Sequence, residues 1–299
     1  MEEAAYLKAA SETDAIIHSA AVVNHVNPYA AHREANVKGT HRVLEFAVAG
    51  GSNAALHFIS TSNVVLARKP SEPVLETMPL DMCPSVLKLN GYAQSKFVSE
   101  LMCWNASASG LPVAIYRPGI VSSHTESGFC KPEDFYPRLL QAITAQKVYP
   151  TVDIAATFDM TPLDYVARGI TGIALQSTAA EIVAGGKPLQ DRVFHTIAKA
   201  THEVKFKTLV DGVRASGLCE PEEISFSDFC SRMERVPEFA PLLHELRAGG
   251  RCSVRWLDAS QFERSISDLC LSMRPSEVTA DVVSKCIQFC NQQSLRARY

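Results

Sequence analysis

Tyr92 and Lys96 stand four residues apart in a proline-free stretch at 89–100, LNGYAQSKFVSE. The surrounding residues tolerate or favour a helix, and side chains four apart on a helix share one face. A phenol and an ammonium would therefore point into the same space. A phenol has a pKa near ~10 in water, and a nearby positive charge lowers that pKa. Such a phenol could protonate a carbonyl oxygen while hydride reaches the carbon.

The pair by itself is a weak motif, because this spacing also arises by chance. The alternative is a partly buried tyrosine beside a solvated lysine on an ordinary helix. The elements around the pair have to decide between the two interpretations.

The composition is that of a globular protein, with 299 residues, 46% hydrophobic and 20% charged. A net charge of −3 and the lack of a basic stripe argue against a nucleic-acid partner. The sequence contains no apolar run of the ~20 residues that a membrane span needs. The N-terminus is acidic and has no apolar core, so we expect no secretory signal.

The nine cysteines are scattered, odd in number and without a CxxC pair. This pattern argues against a disulfide framework and against a zinc site, so we expect no metal. Cys286 and Cys290 have helical spacing and are interpreted as buried thiols on an apolar face. This cysteine usage predicts a reducing, cytosolic compartment, so we expect a cytoplasmic protein.

The first 120 residues alternate between strand and helix patterns. The apolar run at 14–23, DAIIHSAAVV, is typical of a strand buried on both faces. A helix follows from Pro28 to the glycines at 50–51, then a strand at 55–60. After a polar loop come the Tyr92 helix and a strand at 113–119. This order predicts an α/β fold, a partial Rossmann-like parallel sheet with right-handed crossovers.

The carboxyl ends of these strands should open onto one edge of the sheet, where ligands bind in such folds. Small residues after the first strand would let a flat ligand approach the backbone, and hydroxyls after the second could donate to a carbonyl oxygen. The three strand ends are His18-Ser19-Ala20-Ala21, Ser60-Thr61-Ser62 and Arg117-Pro118-Gly119.

Together these pieces resemble the extended short-chain dehydrogenase/reductase family. More narrowly, the chain is similar to the thioester reductase domain of nonribosomal peptide synthetases and of carboxylic acid or aminoadipate reductases. The matching motifs occur in family order: DAIIHSAA (14–21), NVKGT (36–40), FIST (58–61), GYAQSK (91–96), LPVAIYRPG (111–119) and DMTPLDYVA (159–167).

The resemblance implies a role for each matching residue. Thr61 would hold the substrate oxygen, Tyr92 would donate the proton, and Lys96 would bind the nicotinamide ribose hydroxyls and lower the pKa of the tyrosine. The other positions would serve the cofactor: His18, Ala20 and Ala21 lining it, Asn36 supporting the site, and Pro118 and Gly119 near the nicotinamide.

The implied reaction is hydride transfer from NADPH to an acyl thioester on the phosphopantetheine arm of an acyl or peptidyl carrier protein. It would give an aldehyde or an alcohol, in secondary metabolism. The resemblance also implies a dinucleotide-binding part at 1–120 and a substrate-binding region at 121–299, with the last sheet elements and a helical C-terminus. Blander interpretations stay open: Thr61 as a strand-end hydroxyl, Asn36 as an ordinary surface residue of a helix, and His18 as structural.

The chain departs from the family before Asp14, where we find no GxxGxxG turn to meet the cofactor pyrophosphate. We therefore expect a family domain without its opening half, with reduced cofactor affinity. Three explanations stay open: a truncated gene model, a degenerate paralogue, or a chain completed by a partner.

Three functions follow. The first is the NADPH-dependent thioester reductase. The second is a reductase of acyl-CoA or free carbonyls, or a related domain that releases product by cyclisation. The third is a catalytically inactive scaffold or fragment. The retained Thr61, Tyr92 and Lys96 favour reduction, whereas the missing Gly-rich turn favours the scaffold.

Overall fold

The computed structural model describes residues 2–51, 54–65, 73–78, 86–151, 157–176, 189–198, 203–247, 257–269, 273 and 276–296. The chain forms two compact units. The sheet unit comprises residues 1–119, 168–196 and 256–273, and the helical unit comprises residues 120–167, 197–255 and 274–299. Within the described ranges, no helix is both long enough and apolar enough to cross a bilayer.

The sheet unit is built on a parallel sheet whose described strands run in the order β1-β2-β3-β6. The register pairs Ala15 with Ala55, Leu56 with Val113, and Ile115 with Val193. This arrangement confirms the predicted α/β fold with a Rossmann-like parallel sheet. The strands are β1 (Ala15–His18), β2 (Ala55–Ile59), β3 (Val113–Tyr116) and β6 (Val193–Phe194).

The edge strand β1 differs from its prediction in two ways. It ends at His18 rather than at residue 23, because the Asn36 side chain binds the backbone N–H and C=O of Val22 and takes them out of any ladder. It is also not buried on both faces, since Ile17 is 45% exposed on a strand that pairs only with β2 among the described strands.

Helices cover the sheet and position its strand ends. The helix between β1 and β2 is interrupted by a π-helical turn at Arg33–Lys38, a feature often found at functional sites. The helices of this unit are α1 (Glu3–Ser11), α2 (Tyr29–His32), α3 (Gly39–Ala49), α4 (Gly91–Ala108) and α10 (Ser260–Asp268), with 3-10 turns at Ser62–Val64 and Leu189–Arg192.

The start of helix α4 is fixed by a side-chain cap and by a glycine that packs closely against the preceding segment. The Asn90 side chain caps it by accepting a hydrogen bond from the Ala93 N–H at 2.9 Å. At Gly91 a Cβ would come within 2.4 Å of the Asn27 carbonyl oxygen, so only glycine allows α4 to start this close to the preceding segment. The predicted Tyr92 helix is thereby confirmed, and its first turn is fixed in place.

The helical unit packs helices around two short strand pairs, the parallel pair β4–β8 and the antiparallel pair β5–β7. Helix α6 (Leu163–Gln176) belongs in part to each unit. The remaining strands are β4 (Val148–Pro150), β5 (Thr157–Asp159), β7 (Glu203–Lys205) and β8 (Glu222–Ile224). The remaining helices are α5 (Phe135–Gln146), α7 (Phe206–Ala215), α8 (Phe226–Met233), α9 (Leu243–Arg247) and α11 (Ala280–Arg296), with a 3-10 turn at Ala240–Leu242.

Candidate active site

Helix α4 is fixed against the end of β2 by two contacts. The Ser60 hydroxyl donates to the Glu100 carboxylate at 2.6 Å, and the Lys96 ammonium lies 4.0 Å from the centroid of the Phe58 ring. Lys96 and Glu100 are one turn apart, so one face of α4 lies over the carboxyl end of this strand. Tyr92 lies a further turn towards the start of the same helix.

Lys96 is nearly inaccessible to solvent, with 2% of its surface exposed. Burial lowers the pKa of its ammonium from the usual value to about 8. Within the described part of the chain, no carboxylate lies within ion-pair distance of Lys96, and the carboxylate one turn away, Glu100, pairs with Arg117. The ammonium of Lys96 instead makes a cation–π contact with the Phe58 ring. A buried ammonium without a carboxylate partner can bind the oxygen atoms of a ligand.

Tyr92 is packed edge-on between two imidazole rings. Its ring centroid lies 5.6 Å from that of His25 and 6.0 Å from that of His32, both in T-shaped geometry. Tyr92 as a whole is 9% exposed, so its ring is buried in this packing. The alternative of a partly buried tyrosine beside a solvated lysine is wrong, because Tyr92 is buried and Lys96 is 2% exposed.

Thr61 follows Ser60 directly and caps the short 3-10 turn after β2. Its hydroxyl oxygen accepts a hydrogen bond from the Asn63 N–H at 3.3 Å, which leaves the hydroxyl hydrogen able to donate to another group. Helix α4 packs against this turn. The Pro118 carbonyl accepts from the Ser62 N–H at 2.8 Å, so the third strand end reaches the same turn.

The Asn36 side chain is buried and hydrogen-bonds to two different segments of the chain. The interpretation of Asn36 as an ordinary surface residue of a helix is therefore wrong. Its side-chain amide donates to the Ser95 hydroxyl at 2.9 Å and to the Val22 carbonyl at 3.0 Å. Its amide oxygen accepts from the Val22 N–H at 2.8 Å. One 1%-exposed side chain therefore joins the segment after β1 to the helix that carries Tyr92 and Lys96.

His18 is held neutral by its surroundings. The Thr40 hydroxyl donates to the Asn36 carbonyl at 2.6 Å, so it accepts from His18, whose Nε2 at 3.1 Å must carry the hydrogen. Burial, and then the charge of Lys96, lower the pKa of His18 to about 4. Beyond it, Ala20 is exposed and Ala21 half-buried, as are Pro118 and Gly119, so these strand ends leave backbone open to a ligand.

Sequence reasoning missed the ion pair that fixes the base of this site. Glu100 and Arg117 are both fully buried, and the Arg117 guanidinium donates to both carboxylate oxygens. Arg117 also donates to the Thr77 carbonyl at 2.8 Å and lies 3.3 Å from His195 Nε2. The available signals were a carboxylate one turn after Lys96 and an arginine at a buried strand end.

Comparison with known proteins identifies the family of the chain. The family described as "Male sterility protein" (NAD_binding_4) matches residues 1–170. Aldehyde reductase lnaA of Aspergillus flavus is 34% identical over 194 residues, covering 61% of this chain and 17% of that protein. Glycine betaine reductase ATRR of Emericella nidulans is 38% identical over 180 residues, covering 60% of this chain and 14% of that protein.

Among solved structures, the terminal R domain from the myxalamid PKS-NRPS biosynthetic pathway aligns with a TM-score of 0.78 and 27% identity, covering 98% of this chain and 72% of that one. This chain spans less than a fifth of the length of the two curated relatives. The resemblance seen in the motifs is confirmed. The chain belongs to the male sterility protein family and is homologous to aldehyde reductases and to the reductase domains of nonribosomal peptide synthetases.

Proposed function

We propose that this protein is an NADPH-dependent reductase that converts a carrier-bound acyl thioester to an aldehyde or alcohol. The observation that carries the proposal is Lys96, a buried ammonium with no carboxylate ion pair among the described residues, one turn from Tyr92 on the helix that packs against Thr61. A phenol, an amine and a hydroxyl on adjoining elements supply what carbonyl reduction needs from a protein.

The residues present fit a reduced nicotinamide, which supplies the hydride when it is bound. Lys96 would bind the ribose hydroxyls, because its ammonium has three donors and no carboxylate within reach in the described structure. His18, Ala20 and Ala21 would line the cofactor, and Pro118 and Gly119 would lie near its nicotinamide end. Asn36 would act by positioning, since it joins the strand end to α4.

The protein's own chemistry would be a proton transfer at one oxygen. Thr61 would donate a hydrogen bond to the carbonyl oxygen of the thioester and hold it in place. Tyr92 would give that oxygen its proton, and the Lys96 charge would stabilise the phenolate that remains. The hemithioacetal formed would then lose its C–S bond, with its hydroxyl proton passing to the leaving phosphopantetheine thiol, and this would release the aldehyde. His18 takes no part as an acid, because it is neutral and its Nε2–H is already bound to Thr40.

The carrier partner and the substrate class are supported by the solved R domain of a PKS-NRPS pathway and by relatives that are nonribosomal peptide synthetases. The name of one relative, an aldehyde reductase, favours a second candidate, a reductase of free carbonyl compounds. The free buried thiols of the chain support a reducing, cytoplasmic setting.

The test measures NADPH consumption and aldehyde formation with an acyl thioester of phosphopantetheine, free and on a carrier protein. Tyr92→Phe should lower the rate at least ~100-fold, since general-acid catalysis contributes about that much. Tyr149→Phe is the matched control, because its hydroxyl bonds an exposed Glu223 in the helical unit, and it should leave the rate unchanged. Undiminished reduction by Tyr92→Phe would show that another group donates the proton.

A further inference from the structure

Three cysteines meet in the core of the helical unit. The Sγ atom of Cys130 lies 3.5 Å from that of Cys290 and 3.6 Å from that of Cys286, and all three sulfurs lie within 4.8 Å of one another. Their residues are 5%, 2% and 0% exposed, respectively. The prediction that Cys286 and Cys290 are buried thiols is confirmed, but the third thiol, 156 residues away from Cys286, was not visible in the spacing.

The backbone holds this cluster in place before any ligand arrives. Cys286 and Cys290 are one turn apart on α11 and share a face. Cys130 arrives on a loop pressed against that helix at Gly128, which has a φ of +70° and where a Cβ would lie 2.3 Å from the Lys285 carbonyl oxygen. The rings of Phe129 and Phe289 meet edge to face at 5.3 Å beside it. Loop and helix are therefore fitted to each other around the sulfurs.

A fourth donor reaches the same place from α5. Tyr136 is 1% exposed and packs against the three cysteines. Its hydroxyl has no hydrogen-bond partner among the described residues. A buried hydroxyl without a partner is costly, and Tyr136 lies in the same core cluster as the three cysteines, so the unpartnered hydroxyl is a second observation that points to a ligand there.

We propose that Cys130, Cys286 and Cys290 bind one Zn²⁺ ion as thiolates, with the neutral phenol of Tyr136 as the fourth ligand. On binding, the three S–H bonds are replaced by three Zn–S bonds and three protons leave to solvent, with no change of oxidation state. This site is separate from the reductase proposal and holds whether or not that proposal does.

The sulfur–sulfur distances and the net charge of the site both favour Zn²⁺ as the bound ion. Zinc–sulfur bonds of about 2.3 Å in a tetrahedron place sulfurs about 3.8 Å apart, close to the observed 3.5 and 3.6 Å. A disulfide needs about 2.05 Å and uses only two of the three thiols. Three thiolates around a divalent ion leave a net charge of −1, whereas a monovalent ion would leave −2 in an apolar core. Closed four-coordinate zinc sites are usually structural and stabilise the fold.

The experiment uses the full chain, purified with a reductant, stripped with a chelator and titrated with Zn²⁺ against a chromogenic chelator. We expect one tightly bound ion per chain. Co²⁺ should bind in its place with a thiolate charge-transfer band and the intense d–d bands of tetrahedral coordination. Cys290→Ala should weaken Zn²⁺ binding at least ~100-fold. Cys230→Ala is the matched control, a buried cysteine of the same unit outside the cluster, and should bind like the wild type.

Because Cys290→Ala could fail to fold, Tyr136→Phe is a second test variant that keeps the aromatic ring in the core. It should retain one ion per chain and change the Co²⁺ d–d spectrum. Folded wild-type chain that takes up no Zn²⁺ would overturn the proposal. Equal loss of binding in Cys230→Ala, or a Cys130–Cys290 disulfide found by peptide mapping of the freshly isolated protein, would overturn it as well.

Discussion

At the scale of single residues, Lys96 sets the electrostatics of the candidate active site. Its pKa is lowered to about 8 by burial, from 10.5. The unfolded chain therefore binds more protons than the folded chain between about pH 8 and 10.5, so this residue makes stability rise with pH in that window. Below pH 8 the full cost of burying the charge is present. A shift of this size corresponds to roughly 3 kcal/mol.

Lys96→Met should therefore stabilise the fold while it abolishes reduction. At about pH 7 we expect a free energy of unfolding up to roughly 3 kcal/mol higher than that of the wild type, with the difference shrinking as the pH rises towards 10.5. Urea denaturation across this range measures it. Lys38→Met serves as control, because Lys38 is exposed and pairs with Glu34 at the surface, so its effect should be small. A Lys96→Met chain less stable than wild type near pH 7 would contradict this assignment.

At the scale of elements, α4 is joined to β3 by one buried ion pair. Glu100 on α4 and Arg117 at the end of β3 are completely inaccessible, and Ser60 at the end of β2 donates to the same carboxylate. The pair thus fixes the helix that carries Tyr92 and Lys96 to two strand ends. Removing one partner leaves the other charge buried without compensation.

Arg117→Met should lower the free energy of unfolding by about 3–5 kcal/mol, the usual cost of breaking a buried pair. The double variant Glu100→Gln/Arg117→Met should lose less than the sum of the two single variants, because no charge is then stranded. Lys207→Met on the exposed Lys207–Asp211 pair provides the comparison, with a change below about 1 kcal/mol. Chemical denaturation of the wild type and of these four variants is the measurement, and additive losses would argue against a coupled pair.

Elements that depend on local sequence patterns can be predicted from the sequence, whereas features that depend on distant contacts cannot. The apolar run at 55–60, the helix from Gly91 and the strand at 113–119 are local patterns, and the structure has β2, α4 and β3 at those places. Where β1 ends depends instead on Asn36, whose side chain binds Val22 from 14 residues further along the chain. The strand pairs β4–β8 and β5–β7 are three residues long and form through distant partners.

The candidate site shows the same division. Tyr92, Lys96 and Thr61 belong to short motifs and could be selected from the sequence. The burial of Asn36 depends on Ser95, 59 residues away, and no local pattern distinguishes it from a surface asparagine. The Glu100–Arg117 pair likewise exists only once helix and strand have packed.

At the scale of the whole molecule, the stability of the sheet unit should depend on pH through Glu76. This 1%-exposed carboxylate accepts hydrogen bonds from the backbone N–H groups of His195 and Gln261, each at 2.7 Å. Burial raises its pKa to about 7 from 4.5. The folded chain then binds more protons than the unfolded chain between these values, so Glu76 makes stability fall as the pH rises from 4.5 to 7.

Glu76→Gln should remove this dependence. The wild type should lose up to roughly 3 kcal/mol more than the variant between about pH 4.5 and 7, from a shift of this size. His18, His57 and His195, whose pKa values are lowered by burial, titrate alike in both chains and cancel in the difference. Thermal unfolding at a series of pH values measures the difference in stability between the wild type and Glu76→Gln, and Glu263→Gln at an exposed position is the control. Parallel pH profiles for wild type and Glu76→Gln would rule out this role.

A fluorescence titration with NADPH tests most directly whether the strand ends and α4 form a nicotinamide site. The folded wild-type chain should bind in a saturable manner below roughly millimolar cofactor, the upper end of ordinary enzyme affinities. Lys96→Met should weaken binding at least ~10-fold because it removes the donor to the ribose hydroxyls, whereas Lys38→Met should bind as the wild type does. Saturable binding that is weakened only in Lys96→Met is the predicted result. No binding by folded wild type up to millimolar NADPH, or equal binding by Lys96→Met, would contradict it.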